Sequence, residues 1–112
     1  APAASAPGQS RKDAKRQEAQ IRQEKARRAK PVQQQIDKAE KEMARLGGEQ
    51  AECEAFLAQE DAYLDENKAR LQQTLAQLAE VKVKLSQLEE NWLAWQEELE
   101  QIQREIEAGS FA

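Results

Sequence analysis

The sequence contains no histidine, a single cysteine and few aromatic residues. Cys53 cannot form an internal disulfide, and without a histidine it cannot belong to a Cys/His nucleophile or metal site. Aromatic residues make up 4% and charged residues 34% of the 112 positions, so too little bulk is present to enclose a pocket. We therefore predict no catalytic residue and no metal ligand, and we interpret Cys53 as a small apolar core residue.

Long hydrophobic runs are absent as well. No stretch reaches 18 consecutive apolar residues, and no short apolar stretch is followed by a cleavage site. The sequence therefore predicts neither a membrane span nor a secretory signal, and we expect a cytoplasmic protein without a membrane partner.

Glycine and proline are missing from Leu64 to Ala108, which predicts an uninterrupted helix of about 40 residues, roughly 60 Å long. In this stretch an apolar residue recurs at every seventh position, and a second apolar series follows its later members by three residues. The first series is Leu64, Leu71, Leu78, Leu85, Trp92, Leu99 and Ile106, and the second is Val81, Leu88, Trp95 and Ile102. This spacing is typical of a coiled-coil helix, which needs a partner.

A second apolar seam lies upstream of the first. Its members alternate at spacings of four and three, with Gln50 as the one polar member, and they are Val32, Ile36, Ala39, Met43, Leu46, Cys53 and Leu57. Two seams in one chain predict an all-α fold, a two-stranded antiparallel coiled-coil hairpin with a basic N-terminal helical extension. We expect this hairpin to be monomeric.

Two positions compete for the corner of the hairpin. The pair Gly47–Gly48 is a strong turn signal, but the upstream seam keeps its seven-residue phase across it. We therefore place the corner near residues 59–64, where Asp61 or Asp65 is expected to cap the second helix and Tyr63 to cover the tip.

A corner near residue 61 predicts the pairing of the two helices. By simple reflection, facing residues have numbers that sum to about 123. Leu46 should then face Leu78, while Trp92 should meet Pro31 and Val32.

Composition divides the chain into four segments. Residues 1–10, rich in Ala, Pro, Ser, Gly and Gln, predict a flexible linker. Residues 11–30 predict a basic helical segment that ends at Pro31, which fits either the first turn of a new helix or a kink in a longer one. The hairpin is assigned to residues 31–108, and residues 109–112 to a disordered tail.

The basic segment is the candidate functional site. Residues 11–30 carry nine basic and three acidic side chains, a net charge of +6 in a chain whose total is −4. Such density favours nucleic acids through counterion release, and the lack of interleaved aromatic residues predicts sequence-tolerant, salt-sensitive binding. The candidate nucleic-acid-binding residues are Arg11, Lys12, Lys15, Arg16, Arg22, Lys25, Arg27, Arg28 and Lys30.

The competing interpretation of this segment is a solvated helix held by salt bridges. Because the last residues of the second seam extend past Pro31, we expect the basic helix to fold back along the acidic end of the hairpin. Ile21, Ala26 and Ala29 would then cover that end, and part of the basic charge would be neutralised.

Three stretches of the sequence resemble the C-terminal coiled-coil domain of the ABC-F ATP-binding cassette ATPases, of the Uup and YheS type. They are Lys30-Pro31-Val32, the corner Glu60-Asp61-Ala62-Tyr63-Leu64-Asp65 with Lys68-Ala69-Arg70-Leu71, and the closing Leu88-Glu89-Glu90-Asn91-Trp92-Leu93-Ala94-Trp95-Gln96-Glu97-Glu98-Leu99-Glu100. The resemblance covers about residues 11–107. The pair Gly47–Gly48 departs from the uninterrupted first helix of that family.

The resemblance implies a parent chain with two upstream ATPase cassettes, which bind ATP and magnesium and act on ribosomes in translation. It also implies partners for this module, either nucleic acid (ribosomal RNA or DNA) or the cassettes themselves. The chain has no phosphate-binding loop of the GxxxxGK[ST] type, so this part is not predicted to be an enzyme.

Two alternatives remain open at this point. The C-terminal hairpin of valyl-tRNA synthetase is similar, basic and RNA-directed, but it usually carries Asn and an Ala-Pro near the corner, and residues 56–63 have neither. The other alternative is a purely structural coiled coil that dimerises through its seam and binds no nucleic acid.

Overall fold

The computed structural model describes residues 2–108, with side chains from residue 11 onward. Two long helices are joined by two short 3₁₀ turns: α1 (Pro2–Leu57), a first turn (Glu60–Tyr63), a second turn (Asp65–Asn67) and α2 (Lys68–Glu107). No strand occurs in this part of the chain, and the all-α prediction is confirmed. None of the helices there combines the length and apolar character needed to cross a membrane.

Helix α1 passes without a break through both of its predicted weak points. Pro31 does not begin a new helix, so the boundary that the sequence predicted there is not a helix end. Proline removes one backbone donor, but the apolar seam continues on both sides of it, with Ala29 half-buried and Val32 buried. The pair Gly47–Gly48 is likewise helical, which confirms that it is not the corner.

The assigned bounds of α1 also include residues 2–10, for which the sequence predicted a flexible linker. The tail predicted at residues 109–112 lies outside the described residues.

The fold divides into two compact units, Gln35–Trp95 and Ala1–Gln34 with Gln96–Ala112. In the unit Gln35–Trp95, the two helices pack antiparallel. Near the corner, the Arg70 guanidinium lies 4.1 Å from the centroid of the Phe56 ring. Farther from the corner, the Trp92 indole Nε1 donates a hydrogen bond to Glu40 Oε1 at 3.1 Å. From the first contact to the second, the residue number decreases along α1 and increases along α2, as an antiparallel coiled coil requires.

Most of the core of this unit follows the predicted seams, whereas buried Phe56 and Ala62 belong to neither seam. Leu46 is only 1% exposed, and the other buried apolar residues are Ile36, Ala39, Cys53, Phe56, Ala62 and Val81. Thr74 is also buried, at the seam position between Leu71 and Leu78, and its hydroxyl donates to the Arg70 carbonyl at 2.7 Å. Leu64 is an exception, because it is 48% exposed in the corner instead of packing in the seam.

The pairing of the helices differs from the predicted reflection. The numbers of Phe56 and Arg70 sum to 126, and those of Glu40 and Trp92 to 132, whereas the sequence predicted about 123. Trp92 therefore lies beside Glu40 and not at the predicted level of Pro31. The corner spans residues 58–67 and is centred one to two residues later than the reflection assumed, which accounts for a sum of about 125.

The corner consists of residues 58–67, which include the predicted range 59–64. Neither Asp61 nor Asp65 caps α2, because the residue directly before α2 is Asn67. Its side-chain amide donates to the Asp61 carbonyl at 2.7 Å. Tyr63 is 63% exposed, and its hydroxyl donates to the Leu57 carbonyl at 2.8 Å, which satisfies a backbone acceptor at the end of α1.

The second unit contains the basic part of α1 and the last part of α2. Val32, Ile102 and Ile106 are buried in it, and Ile21 and Ala29 are half-buried. Ala26, which the sequence also assigned to this apolar face, is exposed. Because α1 is continuous, the basic segment reaches the acidic end of α2 without folding back.

Candidate nucleic-acid interface

All nine predicted basic residues lie on α1 within one unit, yet the structure gives them different environments. Six are exposed, and a seventh, Arg27, is exposed but paired with Glu24. Lys25 and Arg28 are half-buried. The six are Arg11, Lys12, Lys15, Arg16, Arg22 and Lys30.

The most accessible group is at the start of the described side chains. Every residue from 11 to 18 is exposed, so the part of the chain that the structure describes leaves each side of α1 accessible there. Helical spacing makes Arg11 and Lys15 neighbours, and likewise Lys12 and Arg16, because each pair is four residues apart. We call these four residues the basic cluster.

The basic cluster keeps a net positive charge within its exposed stretch. Residues 11–18 carry four basic and two acidic side chains, Asp13 and Glu18, a net charge of +2. Like charges at a spacing of four destabilise a helix modestly, and a bound polyanion would relieve that repulsion. The cluster therefore provides a compact cationic surface that phosphates can approach from several directions.

Arg27 is engaged by its own helix. Its Nε donates to Glu24 Oε2 at 3.1 Å, and its Nη2 contacts Glu24 Oε1 as well. This bidentate hydrogen bond lowers the pKa of Glu24 and raises the pKa of Arg27. Arg27 thus presents less net charge to a ligand than a free arginine would.

Arg28 is engaged by the other helix. Its Nη2 donates to Glu105 Oε2 on α2 at 2.6 Å. The hydrogen bond from Arg28 is the main cause that lowers the pKa of Glu105, with a second contribution from the Gln101 amide. Arg28 therefore connects the two helices of this unit, a structural role that the basic run alone did not reveal.

One cation of the same unit lies outside the basic run and was missed by the sequence prediction. Arg104 is exposed in the last turn of α2, where its Nη2 donates to Gln101 Oε1 at 3.2 Å. Its position near a helix C-terminus, where a cation complements the helix dipole, was the available signal. Charge density along the sequence does not detect a residue that only folding brings into the unit.

The described residues contain no candidate metal site. No group of three or more His, Cys, Asp or Glu side chains among them is arranged to hold a metal ion. Cys53 is buried between its seam neighbours and carries a free thiol.

Comparison with known proteins gives one match. The family model described as the ABC transporter C-terminal domain matches residues 28–94. No curated protein and no solved structure matches the chain. The match begins at Arg28 and includes Lys30, whereas the basic cluster lies upstream of it. It therefore covers less of the chain than the resemblance noted from the sequence, which extends over about residues 11–107.

Proposed function

This chain belongs to the ABC transporter C-terminal domain family, and we propose that it is a non-catalytic module that binds nucleic acid through the basic cluster. The observation that carries this proposal is that every residue of α1 from 11 to 18 is exposed, Arg11, Lys12, Lys15 and Arg16 among them. Exposed cations on a bare helix bind phosphates without rearrangement of the fold, and release of counterions supplies the free energy.

The proposed binding is independent of base sequence. Residues 11–30 contain no aromatic side chain that could stack on a base. Lysine and arginine side chains on an uncovered helix contact phosphates, which fix position but carry no sequence information. We therefore expect similar affinities for duplexes of different sequence at a given salt concentration.

We further propose that the parent protein is an ABC-F ATPase that acts on ribosomes in translation. The family match supports a parent with ATP-binding cassettes, in which ATP and magnesium would be held outside this module. It favours this assignment over an arm of valyl-tRNA synthetase. The natural ligand would then be ribosomal RNA, with DNA as the second source of the same phosphate chemistry.

The test measures binding of a short DNA duplex and of an RNA duplex of the same sequence by fluorescence anisotropy. In the test variant, Arg11, Lys12, Lys15 and Arg16 are changed to Glu. We expect its affinity to fall at least about tenfold, because four cationic contacts become repulsive. Arg27 and Arg28 are left unchanged, since reversing them would also break the ion pairs with Glu24 and Glu105.

A matched control changes the same number of charges on the other unit. Lys38, Lys41, Lys68 and Lys82 are exposed there, and their change to Glu alters the net charge of the chain equally. An equal loss of affinity in both variants would mean that only total charge matters, and the assignment to the basic cluster would be wrong.

Co-sedimentation with purified ribosomes distinguishes the two sources of phosphate. If the unmodified chain pellets with ribosomes and the test variant does not, the basic cluster contacts the ribosome and the ribosomal part of the proposal is supported. If the chain binds free DNA but does not pellet with ribosomes, the nucleic-acid proposal stands and the ribosomal part of it fails.

A further inference from the structure

Gly47 and Gly48 lie in the interior of α1 without a steric reason to be glycine. A Cβ atom at either position would meet no atom within 4 Å. The backbone there is part of an ordinary α-helix, which any residue adopts. Glycine weakens a helix relative to alanine because it loses more conformational freedom on folding. The pair therefore lowers the local stability of α1 without gaining a close contact.

The apolar seam is also thinnest at this point. Leu46 and Cys53 are buried on either side, but the seam position between them is Gln50, which is half-buried and donates to Glu54 at 3.0 Å. Just beyond, a cleft of about 250 Å³ opens between the helices and is lined partly by Thr74 and Gln77. A polar residue thus occupies the seam position that follows the glycines, which removes one apolar contact that would stabilise the helix there.

A single arginine spans the glycine pair. On one side, Arg45 Nε donates to Glu42 Oε2 at 3.2 Å, and Nη2 contacts the other oxygen of that carboxylate. On the other side, Arg45 Nη1 donates to Glu49 Oε1 at 2.8 Å. The guanidinium therefore ties the turn before the glycines to the turn after them.

We propose that Gly47–Gly48 is a hinge in α1 and that Arg45 is the latch that holds it closed through Glu49. Opening breaks the helical hydrogen bonds that cross the glycines, while Leu46 and the seam before it stay packed. The facing helix contains neither glycine nor proline, so the opening is confined to α1. The hinge gives the segment from Glu49 to Leu57 a defined point at which it changes direction.

Hydrogen exchange of backbone amides tests the hinge on the full chain. We expect the amides of residues 48–52 to exchange faster than those of residues 38–42 on the same helix. Changing Gly47 and Gly48 to Ala should slow exchange in residues 48–52 by about 2- to 5-fold for each substitution. Both substitutions add only an unhindered methyl group, so the fold is retained. Changing Ser86, exposed on α2, to Ala is the control for a general gain in helix propensity.

The latch has its own pair of variants. Arg45→Gln should speed exchange in residues 48–52, whereas Arg27→Gln, which removes a similar Arg–Glu pair on the same helix, should leave that segment unchanged. The proposal fails if residues 48–52 are protected as well as residues 38–42. It also fails if the glycine substitutions slow exchange there no more than Ser86→Ala does, and the latch fails if both arginine variants act alike.

Discussion

Arg28 on α1 and Glu105 on α2 form an ion pair with 2.6 Å between Nη2 and Oε2, although 77 positions separate them in the sequence. Both side chains are about two-thirds covered. The pair joins the basic segment to the acidic end of the second helix. It explains why the segment is not simply a free cationic arm.

The first prediction concerns the coupling between these two side chains. In a double-mutant cycle of Arg28→Gln and Glu105→Gln, the two changes should be less than additive in the free energy of unfolding, because either one breaks the same pair. Because both side chains are partly exposed to water, the coupling free energy between them should be small. Additive effects near neutral pH would mean that the pair does not form in solution.

The same pair should depend on pH in a defined direction. Hydrogen bonds from Arg28 and Gln101 lower the pKa of Glu105 in the folded chain below its ordinary value of 4.5. A lowered carboxyl pKa stabilises the folded state above the unfolded pKa, and that contribution is lost as the pH falls through the folded value. The coupling measured by the cycle should therefore persist from neutral pH to about pH 5 and vanish well below 4.5. Coupling that grows on acidification would contradict this assignment.

A second prediction tests the core of the unit Gln35–Trp95. Leu46→Ala should lower the free energy of unfolding by about 2–5 kcal/mol, because Leu46 is 1% exposed and its removal leaves a cavity in the seam. Leu75→Ala is the matched control, since Leu75 is 51% exposed, and it should cost less than about 1 kcal/mol. Chemical denaturation followed by circular dichroism measures both, and equal losses would place Leu46 outside the core.

A third prediction concerns the corner. Tyr63→Phe removes the hydroxyl that donates to the Leu57 carbonyl, and it should lower the free energy of unfolding by about 0.5–1.5 kcal/mol. The ring keeps its exposed position, so the loss reports the hydrogen bond alone. An unchanged denaturation midpoint would show that water replaces the hydroxyl without cost.

A fourth prediction concerns the number of chains. Because the two seams of one chain cover each other, the mass from sedimentation equilibrium should stay that of one chain as the concentration rises. Leu46→Asp, which places an unpaired charge in the seam, should unfold both helices of its unit together. A mass that rises to two chains would favour the purely structural, dimerising coiled coil.

The sequence predicted the helices well because apolar spacing records which residues face the core. It missed Thr74, because an apolar pattern includes only apolar residues. The Thr74 hydroxyl donates to a backbone carbonyl of its own helix, and this hydrogen bond allows the side chain to be buried in the core. It assigned Leu64 to the seam because that residue stands seven before Leu71. The corner instead holds Leu64 in an extended backbone between two 3₁₀ turns, out of the seam.

The candidate site was predicted as one run of nine cations, and the structure separates its members by environment. Spacing along the helix favours i,i+4 pairs such as Glu24 with Arg28, but in the structure Glu24 pairs with Arg27 and Arg28 pairs with Glu105. It does not reveal the partner of Arg28, because the pairing of the helices depends on the length of the corner. The predicted reflection was off by three at Phe56 and Arg70 and by nine at Glu40 and Trp92, so it did not locate Glu105.

The salt dependence of nucleic-acid binding tests the central claim most directly. For a short DNA duplex, the logarithm of the association constant should fall linearly with the logarithm of salt concentration, with a slope of about −3 to −4 if the four cations of the basic cluster each neutralise one phosphate. Changing Arg11, Lys12, Lys15 and Arg16 to Glu should bring the slope close to zero. A slope that is already near zero in the unmodified chain, or one that stays the same in the variant, would contradict the claim.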